Sequence, residues 1–338
     1  MKIAVDLMGG DFAPLVNQEA AVKFLETNPN DQIIVFGTEE ALNFPEFDQY
    51  SQIEKVLAPD IIQMDENMIK VFRKKKSSMF MAIDSVEKGN ADVVVSAGGT
   101  GPLFGLSTMK IKTMPNVERA AIASPFPTIN EKPTIILDLG GNADSQPEFL
   151  NDFATLGSEF AKIMFDKNNI QTGLLNIGKE SNKGNELLKA SSKLLESNSS
   201  INFVGNFEPN EVLENDIDVI VTDGYGGNIL LKSTEGALKG FEKILRREMK
   251  ENGIITKVGA GIASKAFTQI RKVFSSDNYG GAVILGLNSP VMKAKGSSKT
   301  PQILFTLNLA KKVVEAKMIE KLSVAMNDMQ RKKEEENA

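Results

Sequence analysis

Residues Asp218 to Lys232 read Asp-Val-Ile-Val-Thr-Asp-Gly-Tyr-Gly-Gly-Asn-Ile-Leu-Leu-Lys. The β-branched run Val219, Ile220, Val221 stops at a carboxylate and a glycine cluster, and an apolar pattern of helical period follows. This is the grammar of strand, tight turn and helix. It recurs at Lys2–Asp11, Asp92–Gly101 and Thr134–Asp144. Each strand is expected to deliver its glycines to the carboxyl edge of a sheet, where backbone N–H groups and a helix N-terminus can approach an anion. Gathered on one edge, these turns would form a phosphate-sized site.

Outward from that stretch, Val16–Leu25 reads as a helix and Gln32–Phe36 as a strand, the alternation of an α/β protein with a parallel sheet. Residues 39–70 give no clear motif. Met79–Lys88 and Asn151–Phe165 read as helices, Gly173–Ile177 and Ile201–Val204 as strands, and Lys183-Gly184-Asn185-Glu186 opens a further helix, with Lys183 just before its N-terminus. Leu230, Thr234, Ala237, Leu238, Phe241 and Leu245 mark one stripe of a long helix after the opening stretch. Thr300 and Pro301 fit the N-cap and first turn of a final helix, and Gln330–Ala338 is a charged tail expected to fray.

A chain of 338 residues with 41% apolar content has ample material for a buried core. Its net charge of −5 and pI near 5.2 argue against a nucleic-acid partner. It contains no cysteine and no histidine. That excludes a thiol nucleophile, Ser-His and Cys-His pairs, imidazole general-base catalysis and a Cys/His zinc site. The chain opens on a strand with no apolar targeting segment ahead of it, and no apolar run approaches the roughly 20 residues that span a bilayer. A cytoplasmic protein is expected.

Two nucleotide motifs fail. A dinucleotide fingerprint is absent because Gly105 comes one residue too late after Gly99 and Gly101, and Ile229 stands where a glycine would follow Gly224 and Gly226. Gly178-Lys179-Glu180 ends a near P-loop with Glu where Ser or Thr must meet Mg²⁺. Asp6, Asp11, Asp138, Asp144 and Asp223 could supply oxygen ligands to Mg²⁺ or bond turn amides and cap helices. The basic run Arg73-Lys74-Lys75-Lys76 is either a solvated loop or an anion-recruiting patch.

Taken in order, eight blocks resemble the phosphate acyltransferase family of bacterial phospholipid synthesis, which makes acyl phosphate from acyl-acyl-carrier-protein and inorganic phosphate. They are Met8–Asp11, Arg73–Met79, Ser96–Gly101, Leu137–Asp144, Lys183–Leu187, Asp223–Lys232, Asn278–Ala282 and Lys293–Ser298. The resemblance implies a three-layer α/β/α fold with a largely parallel sheet, similar to phosphotransacetylases and isopropylmalate dehydrogenases. It implies one domain over residues 1–329 with a protruding helical hairpin at about 229–275, and the charged tail after it. It further implies a homodimer, an acyl-carrier-protein partner, and peripheral membrane contact that hands product to a membrane glycerol-3-phosphate acyltransferase, with no cofactor and no metal.

By that resemblance Lys183 and Asn228 are the catalytic residues. Substrate and phosphate are expected at Gly9, Gly10, Asp11, Ser96, Gly98, Gly99, Thr100, Gly101, Asn142, Asp223, Gly224 and Gly227. The apolar residues Ile254, Ile255, Val258 and Ile262 suit a membrane surface or, on the bland reading, a dimer interface. Arg246, Arg247, Lys250, Arg271 and Lys272 are candidates for docking the acidic carrier or for a solvated helix face. The chain departs from the family where histidine is usual, at Phe12, Phe149 and Lys295, and carries Gly99 for asparagine and Gly226 for threonine.

The chemistry stands without histidine. Phosphate near neutral pH is already a nucleophile, so binding and orientation become the main task. A leaving thiol with a pKa of roughly 8.5 departs with little acid assistance. Donors for the developing oxyanion remain to be supplied, and the Lys183 ammonium, the Asn228 amide and turn N–H groups are of the right type. An acyl-serine at Ser96 has no base to activate it. The position of the acyl groove is not readable. The rival readings are a nicotinamide-dependent decarboxylating dehydrogenase and a non-enzymatic phosphate- or acyl-binding module.

Overall fold

The computed structural model describes residues 1–251 and 281–336. The opening half runs β1 (Lys2–Asp6), α1 (Leu15–Thr27), β2 (Gln32–Gly37), α2 (Glu39–Leu42), β3 (Ile53–Leu57), α3 (Met68–Val71), α4 (Ser78–Glu87), β4 (Val93–Ser96), α5 (Thr100–Ile111), β5 (Ala121–Phe126) and β6 (Thr134–Leu137). It continues with α6 (Pro147–Phe165), β7 (Gln171–Leu175), α7 (Glu186–Ser197), β8 (Asn202–Phe207), β9 (Val219–Val221), α8 (Gly224–Glu251), β10 (Gly281–Leu285), β11 (Val291–Ala294), α9 (Thr300–Glu315) and α10 (Met318–Glu336). Residues 39–70, without a legible motif, contribute the edge strand β3 and two short helices.

The strands form one sheet in the order β3-β2-β1-β4-β11-β10-β5-β6-β9-β7-β8. Most neighbours are parallel, and side-chain alternation assigns each strand residue to a face. Ile3, Val5, Ile33, Val35, Val93 and Val95 pack with α1, α6, α9 and α10, whereas Ala4, Ile34, Phe36 and Val94 pack with α4 and α5. Helices on both faces of a mostly parallel sheet make the three-layer α/β/α architecture.

The expectation that all glycine turns share one edge is corrected by the strand directions. β1, β2, β3, β4 and β11 are mutually parallel, β10 is antiparallel to both β11 and β5, and β5 is antiparallel to β6. The strands β6, β9, β7 and β8 therefore run opposite to β1–β4. The turns after β1 and β4 and those after β6 and β9 leave the sheet in opposite senses and face each other across its central strands. A second correction concerns the charged end, which is helical through Glu336. Met326 and Met329 bury its inner face, and Arg331 pairs with Asp328 and Glu335 along the outer one.

The opening stretch also differs from a strand, tight turn and helix. Helix α8 begins at Gly224, so its glycines form the first helical turn. Their role is close approach. A Cβ on Gly227 would stand 1.9 Å from the Asp138 carbonyl oxygen, and one on Gly224 would stand 2.4 Å from the Asn142 carbonyl oxygen. Leu230 is the last buried side chain described in this helix, and Phe241 and Ile244 beyond it are exposed.

Because the overlap at Gly227 is with backbone, Gly227→Ala is expected to destabilise the fold by about 1–3 kcal/mol, the usual range for overpacking. Urea denaturation measures this, and a loss below about 0.5 kcal/mol, the usual effect of a surface substitution, would contradict the close seating of α8.

Candidate functional site

Two buried carboxylates organise the turns around the site. Asp6, at the end of β1, accepts hydrogen bonds from Ser78 Oγ at 2.5 Å, Ser96 Oγ at 2.6 Å and the Met8 N–H at 3.1 Å. Ser96 Oγ in turn accepts from the Gly98 N–H at 3.0 Å. Burial pushes the Asp6 carboxyl above the usual carboxylate range, and the bonds from Ser78, Ser96, Met8 and Gly9 oppose that shift. Asp138 accepts from the N–H groups of Ile122, Gly141 and Asn142 and from Asn142 Nδ2, at 2.7–3.0 Å. Its carboxyl is likewise raised by burial, against those bonds.

These bonds decide what several expected site residues do. The Ser96 hydroxyl donates to Asp6, and Asn142 Nδ2 is shared between Asp138 and the Ala120 carbonyl at 2.7 Å. Both hold turns in place. Asp223 caps α8, its Oδ1 accepting from the Gly226 N–H at 2.7 Å, while the Gly224 N–H donates to the Asn142 carbonyl at 2.9 Å. Gly9 abuts Gly98, and Gly10 lies beside the Gly296 carbonyl, which accepts from the Asp11 N–H at 2.8 Å. The acids Asp6, Asp138 and Asp223 thus bond hydroxyls and amides of the turns. Of the basic run, Lys74 bonds Glu66 and the Ile61 carbonyl, and the neighbouring Ser77 caps α4.

Between the two sets of turns lies a cleft of about 1100 Å³. Asp11, Thr100 and Gly101 line it from one side and Gly140 and Asn228 from the other. A Cβ on Gly140 would stand 3.5 Å from Asn228 Cβ, so the seating of α8 also sets the position of the Asn228 amide. Helix α5 has no side-chain cap at Gly99, and Thr100 and Gly101 of its first turn face the cleft, as an anion-binding helix start would. Farther along α8 the lining sets Leu238, Phe241, Leu245 and Met249, with Phe126 of β5, beside Lys239, Glu242 and Arg246.

Lys232, Lys293 and Lys295 also line the cleft. Lys295, at a position where the family usually has histidine, pairs with Glu235. Phe149, at another such position, is in the core under Arg119, and Phe12 lies at the surface beside Lys299. Lys293 is only 8% exposed. It lies on β11 opposite Ala282 of β10 and Ser96 of β4. Its one hydrogen bond among the described residues goes to the Ala294 carbonyl. Burial pushes its pKa down to about 8, Lys232 and Lys295 push in the same direction, and Asp11 and Asp6 oppose them. Sequence reasoning missed this residue. The available signal was a lysine inside an otherwise apolar strand, Val291-Met292-Lys293-Ala294.

Lys183 is exposed on the connection between β7 and α7 and is not among the residues lining the cleft. Ile254, Ile255, Val258 and Ile262, together with Arg271 and Lys272, lie outside the described residues.

The Lys293 shift has a measurable sign. Its folded pKa of about 8 lies below the ordinary 10.5, so between these values the unfolded chain binds more protons and stability rises with pH. Lys293→Met is expected to abolish that rise and to be more stable than wild type at pH 7, by on the order of 3 kcal/mol at the full shift. Denaturation of both proteins from pH 7 to 10 checks it, and parallel pH dependences would contradict the burial of a charged lysine.

A family model described as fatty acid synthesis protein matches residues 1–321. Phosphate acyltransferase from Fusobacterium nucleatum is 42% identical over 331 residues, covering 96% of this chain and 99% of the relative. The phosphate acyltransferase of Thermodesulfovibrio yellowstonii is 39% identical, covering 100% and 98%. Among solved structures, EutD phosphotransacetylase from Staphylococcus aureus superposes with a TM-score of 0.57 at 17% identity, covering 94% of each chain. A branched-chain phosphotransacylase from Enterococcus faecalis V583 gives 0.57 at 16%, covering 93% and 99%. At such identities these two establish a shared fold. The near-complete matches to the family model and to the sequence relatives establish that the chain belongs to the phosphate acyltransferase family.

Proposed function

We propose that the protein transfers a fatty acyl group from acyl-acyl-carrier-protein to inorganic phosphate, giving an acyl phosphate for phospholipid synthesis. The observation that carries this reading is a single cleft whose lining combines the cations Lys232, Lys293 and Lys295 with apolar side chains of α8, among them Leu238, Leu245 and Met249. Such a cleft suits an anion and an acyl chain whose reacting atoms meet between them. Asn228 lines the same cleft. Its side-chain amide can donate to the oxyanion that develops on the thioester carbonyl, or orient phosphate against it.

The step needs no histidine. A phosphate oxygen attacks the carbonyl carbon, the carbon–oxygen bond forms, and the tetrahedral intermediate collapses with cleavage of the carbon–sulfur bond. The proton of hydrogen phosphate ends on the departing sulfur. Holding both reactants in line supplies most of what the site must do. The same reading takes acyl carrier protein and a second copy of the chain as partners, with the exposed Ile244 of α8 suiting the latter, and places the protein at a membrane surface without spanning it. No helix among the described residues is long and apolar enough to cross a membrane.

Incubation of acyl-acyl-carrier-protein with phosphate is expected to yield acyl phosphate and free carrier thiol, and absence of both products refutes the reading. Asn228→Ala is expected to lower turnover by about 100- to 1000-fold, the effect of removing one oxyanion donor elsewhere. Lys183, which enters only through the resemblance, is expected to matter less, so Lys183→Met should retain more turnover than Asn228→Ala. Leu245→Trp, which fills the cleft along α8, is expected to raise KM for long-chain donors more than for short-chain ones. An equal effect on both would remove the acyl chain from this groove.

A further inference from the structure

The cleft contains a buried cation that has no ion-pair partner among the described residues. Burying an ammonium is unfavourable unless it is paired and hydrogen-bonded. Lys295 has Glu235, and Lys232 is exposed at 3.9 Å from the same carboxylate. Lys293 is nine-tenths buried, and among the described residues its hydrogen bonding is limited to the Ala294 carbonyl. The charged groups acting on it are Lys232 of α8, Lys295 after β11, Asp11 after β1 and Asp6 of β1. Asp6 is already saturated by Ser78, Ser96 and turn amides. The first turn of α5 and the Asn228 amide line the same cleft.

Resting on the function proposed above, we infer that Lys293 is the phosphate-binding catalytic residue, its ammonium contacting the attacking phosphate while Lys232 and Lys295 flank it. The ammonium keeps its proton throughout the transfer. Its charge offsets the repulsion between a dianionic nucleophile and the oxyanion that forms beside it, and fixes the phosphate under the thioester carbonyl. This assignment moves the neutralising role from the exposed Lys183 to a residue whose environment demands an anion.

Titration calorimetry with inorganic phosphate alone tests the contact independently of turnover. Lys293→Met is expected to weaken phosphate binding by about 10- to 100-fold, the worth of one charged hydrogen bond. In the acyl-transfer assay its KM for phosphate should rise while KM for the acyl donor stays near wild type. Wild-type kcat/KM for phosphate should fall as pH rises through about 8, where the free ammonium loses its proton. Lys293→Arg, charged throughout that range, should lose this fall. Undiminished phosphate binding by Lys293→Met, no detectable binding by wild type, or an unaltered pH fall in Lys293→Arg each overturns the assignment. If Lys293→Met does not fold, the Arg variant decides alone. Wild type that binds phosphate through Lys293 yet forms no acyl phosphate would uphold the lysine and refute the acyl-transfer reading.

Discussion

The backbone contact between Gly227 and the Asp138 carbonyl fixes the geometry on which the rest of the site depends. There is no room for a Cβ between them, so the first turn of α8 lies directly on the loop that follows β6. That loop is itself held by the Asp138 carboxylate, whose acceptor positions are filled by amides of Ile122, Gly141 and Asn142 and by the Asn142 side chain. Asn228 and the apolar wall of the cleft are carried on the same helix. A small displacement at Gly227 would therefore move the Asn228 amide and one wall of the cleft together.

Asp6 plays the corresponding part on the opposite side, tying the turn after β1 to that after β4 and to the start of α4 through Ser96 and Ser78. The two carboxylates are closed inward on donors of their own loops. The cations of the cleft are arranged differently, since Lys293 faces it without a carboxylate in an ion pair among the described residues. Rigid, internally satisfied turns and a buried cation with no ion-pair partner among the described residues together suit the binding of an anion. This is a workable design for a chain without histidine, because phosphate needs to be bound and aimed more than it needs to be activated.

The strand–turn–helix units were legible because β-branched runs, glycine clusters and helical periodicity are local signals. The α/β class and the main helices follow from them. Family membership was legible from the order of the blocks. The edge shared by all turns was misjudged because strand direction depends on β5, β10 and β11, whose pairing is non-local. The charged end was read as frayed because its anchoring methionines precede it and their partners lie far away in sequence. Ser96 and Asn142 looked like substrate ligands because a polar residue in a glycine turn looks the same whether it bonds a ligand or a buried carboxylate.

By itself, then, the sequence determined the strand–turn–helix units and the main helices, which family they belong to, and that the chemistry must proceed without imidazole or thiol. Tertiary structure alone decided which polar groups face the cleft and which are consumed in holding it. Lys293 illustrates the division. Its residue type is visible in the chain, but a lysine acquires a depressed pKa and a need for an anion only when β4, β10 and α8 remove it from water and bring Lys232 and Lys295 beside it. Desolvation and charge proximity are properties of three-dimensional packing, and no local pattern encodes them.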